Sequence, residues 1–235
     1  MLKYQKIASN IEKFIKDENL KPGDKLPTLN ELVNKYGTSK TTIVKTLEVL
    51  EARSIIYKVQ GSGIFVRRNK FMGAINLQTN NLAQRIRSKA KTIEFDLITP
   101  PPEVAEQLYC EEGEKVYYIK RLRYYKENEV LAIEISYYRE TLTPGITEEV
   151  IKGSLFDYVR KELGLIVNFS DKYLTIGCLD EEEAKLLELE KGDPCLRAKE
   201  VFYLTNGKPF DYSYLTYSYK NANFYLHGVN LHDYV

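Results

Sequence analysis

Apolar residues in the first part of the chain recur at helical spacing. Tyr4, Ile7, Ile11, Phe14 and Ile15 share one face of an amphipathic helix predicted over residues 3–18. Leu20-Lys21-Pro22-Gly23-Asp24 reads as a turn, and Pro27-Thr28 opens a second helix. There Thr28 and Glu31 have the spacing of a capping box, Leu29, Leu32, Val33 and Tyr36 supply the buried face, and Gly37 is the C-terminal stop. A third helix follows within two residues, capped by Thr38 or Ser39, with Ile43, Leu47 and Leu50 along one face. The period then changes from helix to strand. Residues 55–59 and 64–66 read as two strands around the glycine turn Gln60-Gly61-Ser62-Gly63, followed by Arg67 and Arg68. Three short helices and a hairpin predict a winged helix-turn-helix. Its third helix would enter the major groove and its hairpin tip would approach the backbone or minor groove.

Beyond a linker at 69–74 the pattern is mostly of strands. Pro100-Pro101-Pro102 breaks the chain before a short helix at 103–108. Strands at 116–125 and 130–138 flank a turn at 126–128. A helix at 154–163 ends at Gly164. Asp180 and Glu183 form a second capping box, opening a helix through 189. Strands at 195–204 and 209–219 flank Thr205-Asn206-Gly207-Lys208. These segments form an internal repeat: residues 105–113 with the 116–138 hairpin parallel residues 184–192 with the 195–219 hairpin. Gly113 and Gly192 align at an offset of 79, which sets Arg121 against Glu200. With two extra residues allowed in the first turn, Glu134 aligns with Asp211. Two such units predict a pseudo-symmetric, mostly antiparallel sheet, so the fold class is α+β; the alternative is a chance likeness of two ordinary hairpins. The domains expected are 1–68, a linker at 69–74, and 75–235.

Charge sharpens this division. The 235 residues have a net charge of +1, yet residues 1–70 hold 14 Lys and Arg against 7 Asp and Glu, and the remainder hold 20 against 26. A basic segment ahead of an acidic one suggests that only the first meets a polyanion. Only 3 of the 19 tyrosines fall in residues 1–70, which also assigns the two parts different tasks. No apolar run is long enough to cross a bilayer, and no secretory signal opens the chain. Cys110, Cys178 and Cys195 form no metal or disulfide spacing, which fits a cytoplasmic protein.

The candidate chemistry of the first part lies at the start of the third helix. Ser39, Lys40, Thr41 and Thr42, with Lys45 following, gather hydroxyls, free N–H groups and cations where phosphate oxygens and groove edges would be met. Gly61-x-Gly63 is not a nucleotide loop, because no Lys-Ser/Thr and no helix follow it. The motifs Leu26-Pro27-Thr28-Leu29-Asn30-Glu31-Leu32, Ser39-Lys40-Thr41-Thr42-Ile43 and Gln60-Gly61-Ser62-Gly63-Ile64-Phe65-Val66, in this order and spacing, resemble the GntR family of bacterial transcription regulators. That resemblance implies DNA contacts at Ser39, Lys40, Thr41, Thr42 and Gly61; Thr28, Asn30, Lys45, Gln60 and Ser62 complete the candidate interface. Asn30 and Val44 stand where the family commonly has Arg, and Arg is the usual bidentate reader of guanine. An operator different from the common family sequence is therefore expected.

In the second part, strand alternation puts ionisable groups on apolar faces. Arg121 and Arg123 share a face with Tyr117 and Ile119, Glu200 with Leu196, Ala198 and Phe202, and Asp211 with Ser213, Leu215 and Tyr217. Such groups are costly unless paired or bound. Two readings stand: buried structural ion pairs, such as Arg121 with Glu200, or a pocket where arginines hold an anion and carboxylates hold hydroxyls. Tyr118-Ile119-Lys120-Arg121-Leu122-Arg123, Glu134, Ser154-Leu155-Phe156 and Lys208-Pro209-Phe210-Asp211-Tyr212 resemble the UTRA effector-binding domain of the HutC subfamily. The resemblance implies effector contacts at Arg121, Arg123, Glu134, Ser154, Phe156, Asp211 and Tyr217, and a small anionic effector such as a sugar phosphate. Phe156 replaces a Tyr of a sugar-phosphate-binding relative, Asp211 a Glu, and the segment 76–82 matches the family's phosphate-holding stretch poorly, with Thr79 the residue that could serve.

The UTRA fold resembles that of chorismate lyase, so catalysis was weighed. His227 and His232 stand in no motif, and no hydrolase or zinc motif occurs, so no catalytic residue, metal or cofactor is expected. The expectation is a homodimeric repressor on a pseudo-palindromic operator, with no membrane partner. The alternatives are a regulator whose second domain only dimerises, and a lyase-like enzyme.

Overall fold

The computed structural model describes residues 2–67, 75–76, 90–126 and 129–226. Arg68, the 69–74 linker, Thr79, the 127–128 turn, His227 and His232 lie outside the described residues. The described residues divide into two compact units: 2–67 with 75–76 and 224–226, and 90–126 with 129–223.

The first unit follows the apolar pattern closely. Helices α1 (Lys3–Asp17), α2 (Leu29–Tyr36) and α3 (Lys40–Ala52) precede a hairpin of β1 (Ile56–Val59) and β2 (Gly63–Val66). Ile7 and Ile11 of α1, Leu32 of α2, Ile43, Leu47 and Leu50 of α3, and Ile56, Ile64 and Val66 of the hairpin form one buried cluster. The turn before α2 joins the hairpin as a third rung: Leu26 N–H donates to Ile64 O at 2.8 Å and Val66 N–H to Asp24 O at 2.8 Å. Gly37 ends α2 at φ +53°, a left-handed conformation in which a Cβ is disfavoured. A two-residue parallel ladder pairs β3 (Ile75–Asn76) with β10 (Phe224–Tyr225).

The second unit is built on a six-stranded antiparallel sheet of β4 (Ala90–Ile98), β5 (Val116–Lys126), β6 (Glu129–Arg139), β7 (Val167–Cys178), β8 (Pro194–Leu204) and β9 (Pro209–Ser218). The strand order is β4-β5-β6-β9-β8-β7. Helices α4 (Pro102–Leu108) and α7 (Glu181–Leu187) follow β4 and β7; α5 (Glu148–Lys152) and α6 (Leu155–Lys161) lie in the β6–β7 connection. Val104 and Leu108 of α4 pack with Val116, Val201 and Tyr212, and Ala184 and Leu187 of α7 with Leu122, Ile133 and Cys195. The opposite face meets α5 and α6, where Ile151, Leu155 and Val159 pack on Tyr117, Ile119, Tyr138 and Phe202.

The repeat is a structural one, β-α-β-β twice. Tyr109 and Glu188, 79 residues apart, both end their helices in the left-handed region, at φ 52° and 56°. The bonds Cys110 N–H to Ala105 O and Leu189 N–H to Ala184 O, each 2.9 Å, repeat at the same offset. The pairs Val116↔Arg139 and Cys195↔Ser218 do so as well. The offset therefore holds through both hairpins, and the two extra turn residues expected from the sequence are not there. Glu134 is equivalent to Ser213, and Asp211 to Ala132. The self-equivalent pair is Ile135↔Tyr214, on the pseudo-dyad between β6 and β9.

Candidate nucleic-acid interface and effector site

In the first unit, Ser39 is the N-cap of α3. Its hydroxyl accepts from Thr42 N–H at 3.2 Å and lies 2.9 Å from the Thr42 hydroxyl. Those two side chains thus close the helix start. Lys40 and Thr41 are exposed beside it, and Lys45 is exposed with its ammonium 5.0 Å from the Tyr4 ring centre. Asn30 is exposed. Thr28 is also exposed, with its N–H donating to Glu31 at 2.7 Å and its hydroxyl at 2.8 Å. These bonds hold the Glu31 carboxyl below its ordinary range. At the hairpin tip Ser62 N–H donates to Val59 O at 3.0 Å, and Gly61 takes φ +74°, where other residues are strained. Gln60, Gly61 and Ser62 are all exposed.

The second unit brings most of its expected residues onto one face of the sheet. The registers lay out four rows across β5, β6, β9 and β8: Arg123, Ala132, Tyr217, Leu196; Arg121, Glu134, Leu215, Ala198; Ile119, Ser136, Ser213, Glu200; Tyr117, Tyr138, Asp211, Phe202. Arg121 (1% exposed), Glu134, Asp211, Glu200 and Tyr217 are all buried there. Arg121 Nε donates to Glu134 Oε2 at 2.8 Å. Arg123 binds the same carboxylate through Nε and Nη2, both at 2.8 Å. Arg121 is directly opposite Glu134 and Arg123 is its diagonal neighbour, so both forks converge on one acid. The pair of Arg121 with Glu200, which one of the two sequence readings offered, does not form. Strands β6 and β9 separate them, about 14 Å of sheet at ~4.8 Å per strand. Glu200 instead meets Lys172 at 2.6 Å.

Burial alone would raise the Glu134 carboxyl, but the charges of Arg121 and Arg123 outweigh it and hold it at about 2. Asp211 has no such cation. Burial pushes it up to about 7, opposed in part by the hydroxyls of Ser213 and Tyr138. Ser213 donates to Asp211 Oδ1 at 2.6 Å, while Asp211 Oδ2 and Glu200 Oε1 are buried with no hydrogen bond among the described residues. Phe156 closes the Asp211 end of the layer, its ring 4.9 Å from Phe202 and 6.1 Å from Phe210. Ser154 is not among the buried polar groups. It is exposed and caps α6, accepting from Asp157 N–H at 3.3 Å. Sequence reasoning placed Ser213 on the Asp211 face but missed Lys172 and Ser136 as members of this layer. The Lys172 strand escaped it altogether, and Ser136 carries no signal until β6 and β9 are paired.

Among the described residues no group of three or more His, Cys, Asp or Glu could hold a metal ion, and no helix is long and apolar enough to cross a membrane.

Residues 3–66 match the family described as bacterial regulatory proteins, gntR family, and residues 83–221 match the UTRA domain. The HTH-type transcriptional regulator YydK of Bacillus subtilis (strain 168) is 44% identical over 228 residues, 95% of this chain and 96% of that one. Its crystal structure, described as a possible transcriptional regulator, superposes with a TM-score of 0.85 over 97% of this chain and 100% of that chain. The mannosyl-D-glycerate transport/metabolism system repressor MngR of Escherichia coli (strain K12) is 28% identical over 89% of each chain.

Proposed function

The chain belongs to the gntR family of bacterial regulatory proteins, with a UTRA domain behind its winged helix-turn-helix, and on that premise we propose that it is a repressor released from its operator by a small anionic effector. It is a DNA-binding transcription regulator; the proposal concerns the sign of regulation, the effector, the assembly and the residues. We keep domain limits of 1–68 and 75–235 as part of the proposal; the matched ranges 3–66 and 83–221 lie within them, while 75–76 and 224–226 group with the first compact unit. The DNA-facing set is Thr28, Asn30, Ser39, Lys40, Thr41, Thr42, Lys45, Gln60, Gly61 and Ser62. Two such units in a homodimer read the halves of a pseudo-palindrome, because protein two-fold symmetry is mirrored in its DNA.

The effector reading rests on one observation. A buried layer holds two arginines on a single carboxylate, one cation more than Glu134 neutralises, beside Glu200 Oε1, a buried carboxylate oxygen that lacks a donor among the described residues. An unmatched buried cation is costly without a counter-ion, and an unmatched buried acceptor without a donor. A sugar phosphate brings both: an anion for Arg121 and Arg123, and hydroxyls for Asp211 and Glu200. A relative named as the repressor of a mannosyl-D-glycerate system supports a sugar-derived ligand.

A thermal-shift panel of phosphorylated sugars, neutral sugars and other small anions tests this. A phosphorylated sugar should raise the melting temperature by mass action. Because Arg121 is fully buried, Arg123→Gln is the cleaner probe, with a side chain 19% exposed. It should abolish the shift while operator affinity stays unchanged. A shift retained in Arg123→Gln removes Arg123 from the site. A panel in which nothing alters melting or operator binding favours a second unit that only dimerises.

A further inference from the structure

Val44 stands 38% exposed in the middle of α3. The helix buries Ile43, Thr46, Leu47 and Leu50. Val44 lies about 100° around the axis from Ile43, off that packed face, and takes no part in the unit's buried cluster. Lys40 and Thr41 precede it by one turn on the same side, Lys45 adjoins it and Glu48 follows by one turn; all four are exposed. An isopropyl group thus faces water inside an otherwise polar stripe. Helix formation does not call for it, since β-branching lowers helix propensity.

Three hydroxyls of this helix have partners within the fold. Ser39 and Thr42 bond to each other and to the cap, and Thr46 donates to Thr42 O at 2.8 Å. Beside the exposed cap Ser39, the side chains exposed at this end of α3 are Lys40, Thr41, Val44 and Lys45. Val44 can neither donate nor accept a hydrogen bond. On the major-groove edges of the four base pairs the apolar feature is the C5 methyl of thymine. A valine in a helix is held almost wholly to one χ1 rotamer, so its methyls are presented in a fixed direction.

We infer that Val44 is a thymine reader: its side chain packs on the C5 methyl of a thymine in the operator, and that methyl is part of what the protein selects. The inference rests on the proposed entry of α3 into the major groove and adds a base-reading residue to it.

The full chain is first used to select sites from random DNA. Each thymine of the selected site is then replaced singly by deoxyuridine, which removes only the methyl. Affinities are measured by fluorescence anisotropy for the natural chain and for Val44→Ser, whose surface position leaves the fold intact by circular dichroism. At one or more thymines the natural chain should lose about fourfold, the worth of one buried methyl, while Val44→Ser binds the two DNAs equally. Uracil tolerated at every position, or an equal loss in Val44→Ser, overturns the inference but leaves the groove reading standing. Failure to enrich any sequence overturns the groove reading, and Val44 with it.

Discussion

Glu134 and Asp211 share one buried layer and titrate in opposite directions, because burial raises both and only Glu134 has two guanidinium groups to outweigh it. Glu134, held at about 2, contributes stability that is present above the ordinary carboxylate range and lost as pH falls towards 2. Asp211, raised from 3.8 to about 7 by burial, works the other way. Between these values the folded state holds a proton that the unfolded chain has released, so stability falls as pH rises from about 4 to about 7 and is level beyond. The whole effect is bounded at about 4 kcal/mol by the size of the shift. Asp211→Asn keeps an acceptor for Ser213 and cannot ionise. Its melting temperature should exceed that of the natural chain at pH 8 and converge with it near pH 4; equal melting curves at both pH values would show that Asp211 carries no burial penalty. Which residues would be buried and charged was legible from strand alternation. Which partner each would take was not, since Arg121, Glu134 and Glu200 alternate identically and only the strand order decides between them.

At the scale of elements, the helices whose ends carry chemical signals were read correctly. Thr28 with Glu31, Ser39 before Lys40, and Asp180 with Glu183 are caps in the structure, and Gly37 ends α2. A cap is a local bond, so local sequence is enough to foresee it. Ser39→Ala should lower unfolding stability by about 1 kcal/mol in urea titration. Ser39→Asp should keep the cap and the stability while weakening operator binding, because its charge would face phosphate. A Ser39→Asp chain that binds DNA normally would move the helix start away from the backbone. The elements not foreseen were β3, β4, β7, β10 and α5. β4 and β7 are the edges of the sheet, and β7 is exposed on both faces along most of its length. Without one buried face a strand has no clean two-residue period to betray it.

At the scale of the whole molecule, a basic DNA-reading unit is joined to an acidic unit with an internal two-fold repeat. The proposed control is a coupling between operator and effector, and coupling is reciprocal. If the effector weakens operator binding by a given factor, operator DNA must weaken effector binding by that factor, typically about 5- to 150-fold in allosteric proteins. Calorimetric titration of the effector into the free chain and into the operator complex measures both sides; equal affinities would exclude this mechanism. The repeat itself was visible at the offset of 79 from two helix-ending segments, but its continuation through the hairpins was misjudged by two residues. Turn lengths in sequence do not reveal where pairing resumes, and the registers of β5 with β6 and β8 with β9 do.

What the chain determined by itself is everything that depends on near neighbours: the three helices and their caps, the hairpin with Gly61 at its tip, the charge division, and the motifs that mark the family. What only the tertiary structure decided is which distant groups meet. The convergence of Arg121 and Arg123 on Glu134, the Lys172–Glu200 pair, the join of the two repeats at Ile135 and Tyr214, and the outward position of Val44 on a packed helix all follow from strand order, register and packing. These bring together residues far apart in sequence, and their energies appear only once the sheet and the core are assembled.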